Sequence, residues 1–296
     1  LAWAVCGPRG RLVSAETTLE LKFAKGEVLQ YQLETTIIQE AQRAELQKPF
    51  KSTTRQIFNI ETTVDDVDQE GVARLRQRIT RIRVEMDLPP PGKGKVEYDS
   101  DTTKITEKDE LPAQRLAASN KAVLAAEWAF SLSRQGRLTN LKVTRRPGGP
   151  AAAGGQELFG EQAMRELILQ TFLTLDAKPV EPGDSWTRAF STRTTYGALR
   201  TDQKITYEKE IEGGLAQLQI AEEYQVDVER TAPIKIEMTD GKGSAIFDPA
   251  GGRLLERTGS QVQTMKIDVM GKKAEQKARS ATVVRLVEPR ASEPVR

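Results

Sequence analysis

Apolar residues recur at every second position along most of this chain. Leu19, Leu21 and Phe23 alternate with Glu20 and Lys22, and the pattern resumes at Leu29, Tyr31, Leu33 and Thr35 after a turn at Lys25-Gly26-Glu27. Phe58, Ile60, Thr62 and Val64 form a further face of this kind. In a strand, successive side chains point to opposite faces, so the alternation predicts half-buried strands with one face in a core and one in water. Val96 and Tyr98 predict a short strand, and Trp128, Phe130 and Leu132 a longer one. The latter turns at Ser133-Arg134-Gln135-Gly136-Arg137 and returns through Leu138, Leu141 and Val143. Leu218, Ile220, Tyr224, Val226 and Val228 share a face, as do Ile234, Ile236 and Met238. Met265, Ile267 and Val269 lead into a turn at Met270-Gly271-Lys272, and residues 278–287 return as the last strand.

One segment breaks phase. Leu75 and Ile79 lie on odd positions, whereas Ile82, Val84 and Met86 lie on even ones. A strand cannot bury both sets on one face without an extra residue, so a β-bulge is expected near Thr80–Arg81. With it, Arg74, Arg76, Arg78, Arg81 and Arg83 all fall on the opposite face.

Two stretches change period. Residues 112–126 are Ala-rich with Leu116, Val123 and Leu124 at helical spacing; Asp109 offers a cap and Pro112 suits a first turn. Residues 156–172 place Phe159, Ala163 and Leu167 beside Met164, Ile168 and Phe172 in two adjacent rows, which predicts a second helix. Between the two halves, residues 145–155 (RRPGGPAAAGG) read as a linker, and Pro89 to Gly94 as a stiff exposed loop. The chain thus divides into a β half over 16–144, the linker, and a helix followed by a β half over 156–296. Pro182-Gly183-Asp184-Ser185-Trp186 echoes Lys25-Gly26-Glu27-Val28-Leu29, and Gly252-Arg253-Leu254 echoes Gly136-Arg137-Leu138. The expected fold is mainly β: an antiparallel curved sheet, as a half-barrel or a sandwich, carrying one or two helices and a weak internal duplication.

Composition narrows the chemistry. The 296 residues carry 44 Lys and Arg against 42 Asp and Glu, a net charge of +2, which argues against a nucleic-acid footprint. There is no histidine and one cysteine, so a His-containing triad, a His-bound metal and an intrachain disulfide are excluded. No phosphate loop or nucleophile motif stands in a persuasive context, and no catalytic residue, metal ligand or cofactor is assigned. Asp66-Val67-Asp68-Gln69-Glu70-Gly71 opens like a calcium loop, but Gln77 at position twelve cannot supply the bidentate carboxylate. It reads as an acidic turn between strands. The arginine row Arg74, Arg76, Arg78, Arg81 and Arg83 is the candidate face for an anionic partner; alternatively it is a solvated face paired across strands with Glu61 and Asp65.

At the start, LAWAVC is a short apolar run, and Val13-Ser14-Ala15 fits a signal-peptidase site. Residues 1–15 therefore read as the tail of a signal peptide, and the expected location is the periplasm or cell surface, without a transmembrane span in the mature chain. Cys6 as a lipid-attachment site is a second reading, opposed by Val5 before it.

The run from Leu21 to Tyr31 (LKFAKGEVLQY), the later PGDSW and the segment Phe247 to Leu254 (FDPAGGRL) resemble landmarks of an uncharacterised family of exported bacterial proteins of planctomycete type. The resemblance implies export and a β-rich fold, with no assigned activity and no site residue. Three functions stay open on the residues alone. They are a non-catalytic envelope protein that binds or scaffolds a macromolecule, a carrier of lipid or another apolar ligand on the concave side of the sheet, and a carboxylate-dependent hydrolase.

Overall fold

The computed structural model describes residues 16–43, 49–87, 94–103, 111–145, 161–194, 197–228, 234–269 and 272–287. Among these residues, thirteen strands form one antiparallel sheet. The first half contributes β1 (Val28–Arg43), β2 (Phe50–Val67), β3 (Ala73–Asp87), β4 (Lys95–Asp99), β5 (Glu127–Leu132) and β6 (Leu138–Arg145). The second contributes β7 (Ser185–Thr194), β8 (Gly197–Ile211), β9 (Leu215–Val228), β10 (Ile234–Met238), β11 (Gly241–Asp248), β12 (Arg253–Val269) and β13 (Lys272–Val287). Helix α1 (Leu111–Ala125) lies between β4 and β5, and α2 (Glu161–Thr171) between β6 and β7. The strand order is β6-β5-β3-β2-β1-β13-β12-β11-β9-β8-β7, with β4 beside β3 and β10 beside β12. The signal-peptide reading and residues 146–155 of the expected linker fall outside the described residues, as do Asp109, the Pro89 loop and the first residues of the expected second helix; Arg145, the linker's expected first residue, instead ends β6.

The sheet is a single curved one, not a sandwich. The eleven strands of its path, at about 4.8 Å spacing, would put β6 and β7 about 48 Å apart if flat. Instead both ends reach the same few residues after α2. Leu175 N donates to Gln135 O in the β5–β6 turn at 3.0 Å, and Trp186 Nε1 on β7 donates to Thr174 O at 2.8 Å. The sheet therefore curls around a core that draws on both halves, including Tyr31, Ile60 and Phe130 from one and Ile205, Leu218 and Phe247 from the other. Among the described residues no ladder joins β6 to β7, so the curl stays open.

Phe172 fills the centre. Its ring packs edge-on against Tyr31 at 5.8 Å and Phe23 at 6.1 Å, and tilted against Phe130 at 6.4 Å. Met164 on α2 packs with Trp128 and Ala126. Leu19 and Leu21 are also buried in this core, but their segment is no strand. Its backbone makes isolated contacts instead: Thr17 with Val180, Leu21 N with Arg134 O, and Lys22 N with Gly252 O. Alternation reported burial correctly there, while ladder partners are absent because the segment crosses turns rather than lying beside a strand.

The expected bulge is present. Asn59 pairs with Arg81 and Ile60 with Ile79, which leaves Thr80 as the extra residue. Beyond it Ile82 and Val84 rejoin the buried face with Leu75 and Ile79.

The two halves repeat in detail. At the start of β1, Gly26 N bonds Val64 O, Val64 N bonds Glu27 O, and the Glu27 carboxylate takes the N–H of Ala24. At the start of β7, Gly183 N bonds Tyr207 O, Tyr207 N bonds Asp184 O, and the Asp184 carboxylate takes the N–H of Glu181. Both glycines hold positive φ, 82° and 99°, which such turns require. Hairpins β2–β3 and β8–β9 share their register. Val64 faces Leu75 as Tyr207 faces Leu218, and each has a bulge directly after, before Asp66 and Lys209. Ile60 opposite Ile79 thus corresponds to Gln203 opposite Glu222, and by the β1–β7 correspondence Tyr31 matches Arg188.

Candidate functional site

Those correspondences locate the site. At the positions where the first half buries Tyr31, Ile60 and Ile79, the second half carries Arg188, Gln203 and Glu222. Exchanging close-packed apolar side chains for charged ones costs stability, because each charge loses its hydration. The exchange borders a cavity of about 190 Å³ between α2 and the strands β7, β8, β9, β12 and β13. Leu169, Phe190, Leu199 and Val284 give it apolar wall; Arg188, Glu222, Tyr224 and Arg257 give it charge and hydrogen-bonding capacity.

Each polar group has a local reason for pointing inward. Arg188 lies between Trp186 and Phe190 on β7 and shares their parity. Glu222 follows Leu218 and Ile220 on β9. Arg257 reaches the same face through a bulge: Phe247 pairs with Leu254 but Ile246 with Glu256, so Arg257 comes opposite Ala245, which is buried.

Glu222 is the hub. Its carboxylate accepts from Arg257 Nη2 at 3.2 Å, from Gln203 Nε2 and from the Tyr224 hydroxyl. Arg257 also donates through Nη1 to Leu169 O at 3.0 Å, in the last turn of α2, where the helix dipole favours a cation. Burial pushes the Arg257 guanidinium down, with Glu222 and Tyr224 acting against it. Burial, then hydrogen bonding to Glu222 and its charge, hold the Tyr224 phenol protonated well above the usual range.

Arg188 stands apart. Its Nη1 donates to Thr174 Oγ1 at 2.7 Å, and its guanidinium lies over the Phe190 ring at 5.0 Å. Among the described residues no carboxylate pairs with it, and its Nε is buried without an acceptor. Burial, with Arg257 adding repulsion and Glu222 only partly offsetting it, pushes its pKa down to about 10, so it remains cationic at neutral pH. Glu166 on α2, also on the cavity wall, has Oε1 buried without a donor.

The arginine row lies elsewhere, on the outer face of β3. Arg76 binds Asp65 at 2.8 Å, Arg78 binds Glu61 at 2.6 Å, and Arg81 binds Asp99 at 2.6 Å. Arg74 faces Asp66 in register, and Arg83 has a buried Nε without an acceptor. None of the five lines the cavity. In the Asp66–Gly71 turn, Asp68 accepts the N–H of Val72 and Asp66 takes Lys25, so both carboxylates have protein partners.

The solved structures that the chain is similar to are distant. DynF from the dynemicin biosynthesis pathway of Micromonospora chersina aligns at 5% identity over 97% of this chain and 94% of that one, with a TM-score of 0.22. A DUF1329 family protein from Desulfovibrio piger aligns at 8% identity over 90% and 87%, with a TM-score of 0.13. Neither value carries a structural or functional argument. No curated protein matches the chain. Residues 153–270 match the family of unknown function DUF6263, and that stretch contains α2 together with Arg188, Gln203, Glu222, Tyr224 and Arg257.

Proposed function

We propose that this is a non-catalytic binding protein, working outside the cytoplasm, that encloses a small ligand between α2 and the second half of its curved sheet. The observation that carries this reading is the exchange of three buried positions of the first half, Tyr31, Ile60 and Ile79, for Arg188, Gln203 and Glu222 in the second, where Arg188 and Glu222 line a cavity. Natural cores rarely give up close packing without a use for the space. A cavity of 150 Å³ holds benzene, so the about 190 Å³ here suits about eight non-hydrogen atoms. A long acyl chain would have to run out of it.

The non-catalytic reading is supported by the use already made of Glu222 and Thr258. Glu222 already accepts from three donors, and Thr258 on the wall shares its hydroxyl with Ser244. The expectation of export rests on the apolar run and the Val13-Ser14-Ala15 site. No helix among the described residues is long and apolar enough to cross a membrane.

The test is ligand-observed NMR with benzyl alcohol, a neutral probe of the right size, on the wild type and on Leu199→Trp, which fills the cavity. Saturation transfer that disappears in the folded variant supports the reading; equal transfer in both, or none in either, overturns it. For the compartment, fractionation of the full-length product should find it processed and outside the cytosol.

A further inference from the structure

Resting on that reading, we infer that Arg188 anchors the ligand through a carboxylate, and that the ligand is a small aromatic or short-chain monocarboxylic acid. The cavity wall holds two guanidiniums, and the Glu222 carboxylate is committed to one of them, Arg257. Among the described residues Arg188 has only the hydroxyl of Thr174 and the ring face of Phe190, and its charge is repelled by Arg257 beside it. A part-buried guanidinium in that position gains most from an arriving anion, which supplies the missing counter-charge and acceptors in one step. The planar fork of arginine fits a carboxylate in particular.

The remaining wall sets the rest of the ligand. Phe190, Leu199, Leu169 and Val284 present apolar surface to a body of ring or short-chain size. The carboxylates of Glu222 and Glu166 on the same wall oppose a second negative charge, so a dianion such as a phosphate monoester is disfavoured against a monoanion. The free Oε1 of Glu166 adds an acceptor for a hydroxyl or amine on the acid, should it carry one.

Calorimetry at neutral pH with benzoate, benzyl alcohol, phenyl phosphate and benzylamine separates the outcomes. Benzoate should bind at least about tenfold more tightly than benzyl alcohol, the range expected for a charge-assisted pair. Phenyl phosphate should bind more weakly than benzoate, and benzylamine weakest. Arg188→Met should bring benzoate down to the level of benzyl alcohol in the same variant, so that the ratio of the two affinities falls to about one. Arg188→Lys, which keeps the charge and loses the fork, should fall between. The charge preference of the wild type decides the matter even if Arg188→Met fails to fold. Equal affinity for benzoate and benzyl alcohol overturns the anchor but leaves the cavity reading standing. Tighter binding of phenyl phosphate overturns the carboxylate assignment. Binding of none of the four overturns the cavity reading and the anchor with it.

Discussion

Replacing Glu222 by Gln is the sharpest physical probe of the polar cluster. The change is nearly isosteric, so packing is kept and only charge and one acceptor are lost. The side chains of Glu222 and Arg257 are 20% and 12% exposed, so water compensates little. Three donors converge on the carboxylate, from Arg257, Gln203 and Tyr224, and an amide cannot accept from all of them. Two guanidiniums then share the cavity wall without a balancing hub. Breaking a buried pair costs about 3–5 kcal/mol, and the cavity's partial access to water puts the expected loss near 3 kcal/mol. The control is Glu61→Gln on the outer face, whose partner Arg78 is 54% exposed; surface pairs of this kind contribute about 0–1 kcal/mol. Changing Gln203, Glu222 and Arg257 together to Ile, Ile and Met removes both members of the Glu222–Arg257 pair in concert and restores the Ile–Ile pair of the first half. It should recover to within about 1 kcal/mol of the wild type, as apolar replacement of buried pairs commonly does. Urea unfolding followed by far-UV circular dichroism measures all three. A loss under about 1 kcal/mol for Glu222→Gln, no larger than for Glu61→Gln, would refute the account of Glu222 as a buried hub.

Phe172→Ala should cost about 4 kcal/mol, since it empties a site ringed by three aromatic side chains; urea unfolding checks it, and a loss below about 2 kcal/mol contradicts a central packing role. Gly136→Ala should destabilise by more than about 1 kcal/mol, because φ is 73° and a Cβ would clash with Leu173 O; an unchanged melting temperature would show that the β5–β6 turn is not held against that segment. Asp99→Asn should cost about 1 kcal/mol at pH 7, where hydrogen bonding to Arg81 holds the carboxyl below its usual range. Since the folded pKa is the lower one, that contribution is complete above about pH 5 and fades as pH falls through the carboxylate range, so wild type and variant should converge near pH 2 in acid titrations.

Much of the fold is written in local parity. The bulge at Thr80 follows from Ile79 and Ile82 both needing burial, and the turns at Lys25-Gly26-Glu27 and Pro182-Gly183-Asp184 match in sequence as they match in hydrogen bonds. The strand expected at Leu19–Phe23 shows the limit: parity reports which side chains are buried, whereas pairing depends on what happens to lie alongside. The curl is of the same kind, for nothing local in β6 or β7 states that both will reach the segment after Phe172. The site was half legible. Arg188 shows itself as a charge between Trp186 and Phe190, on an apolar parity. Glu222 shares the parity of Leu218, Ile220 and Tyr224 and is passed over when only apolar members of a face are collected. Arg257 was hidden, because the bulge that turns it inward carries no glycine or proline to mark it.

The repeat explains how a chain of this kind tolerates a polar cluster in its interior. Thr62 and Gln77 in the first half form one hydrogen-bonded buried pair, where the second half has Ile205 and Ile220. Each hairpin therefore sets one polar rung among apolar ones, but at different heights. In the first half the rung is a neutral amide and hydroxyl, which satisfy each other in part and leave the surrounding core closed. In the second it is Gln203 with the charged Glu222, and the neighbouring strands answer with Arg257 and Arg188, where the first half has Tyr31 at the Arg188 position. Glu222 is engaged by Arg257, and among the described residues no carboxylate pairs with Arg188. An arriving anion would supply that partner in the second half, while the shared core around Phe172 keeps the sheet curled around both.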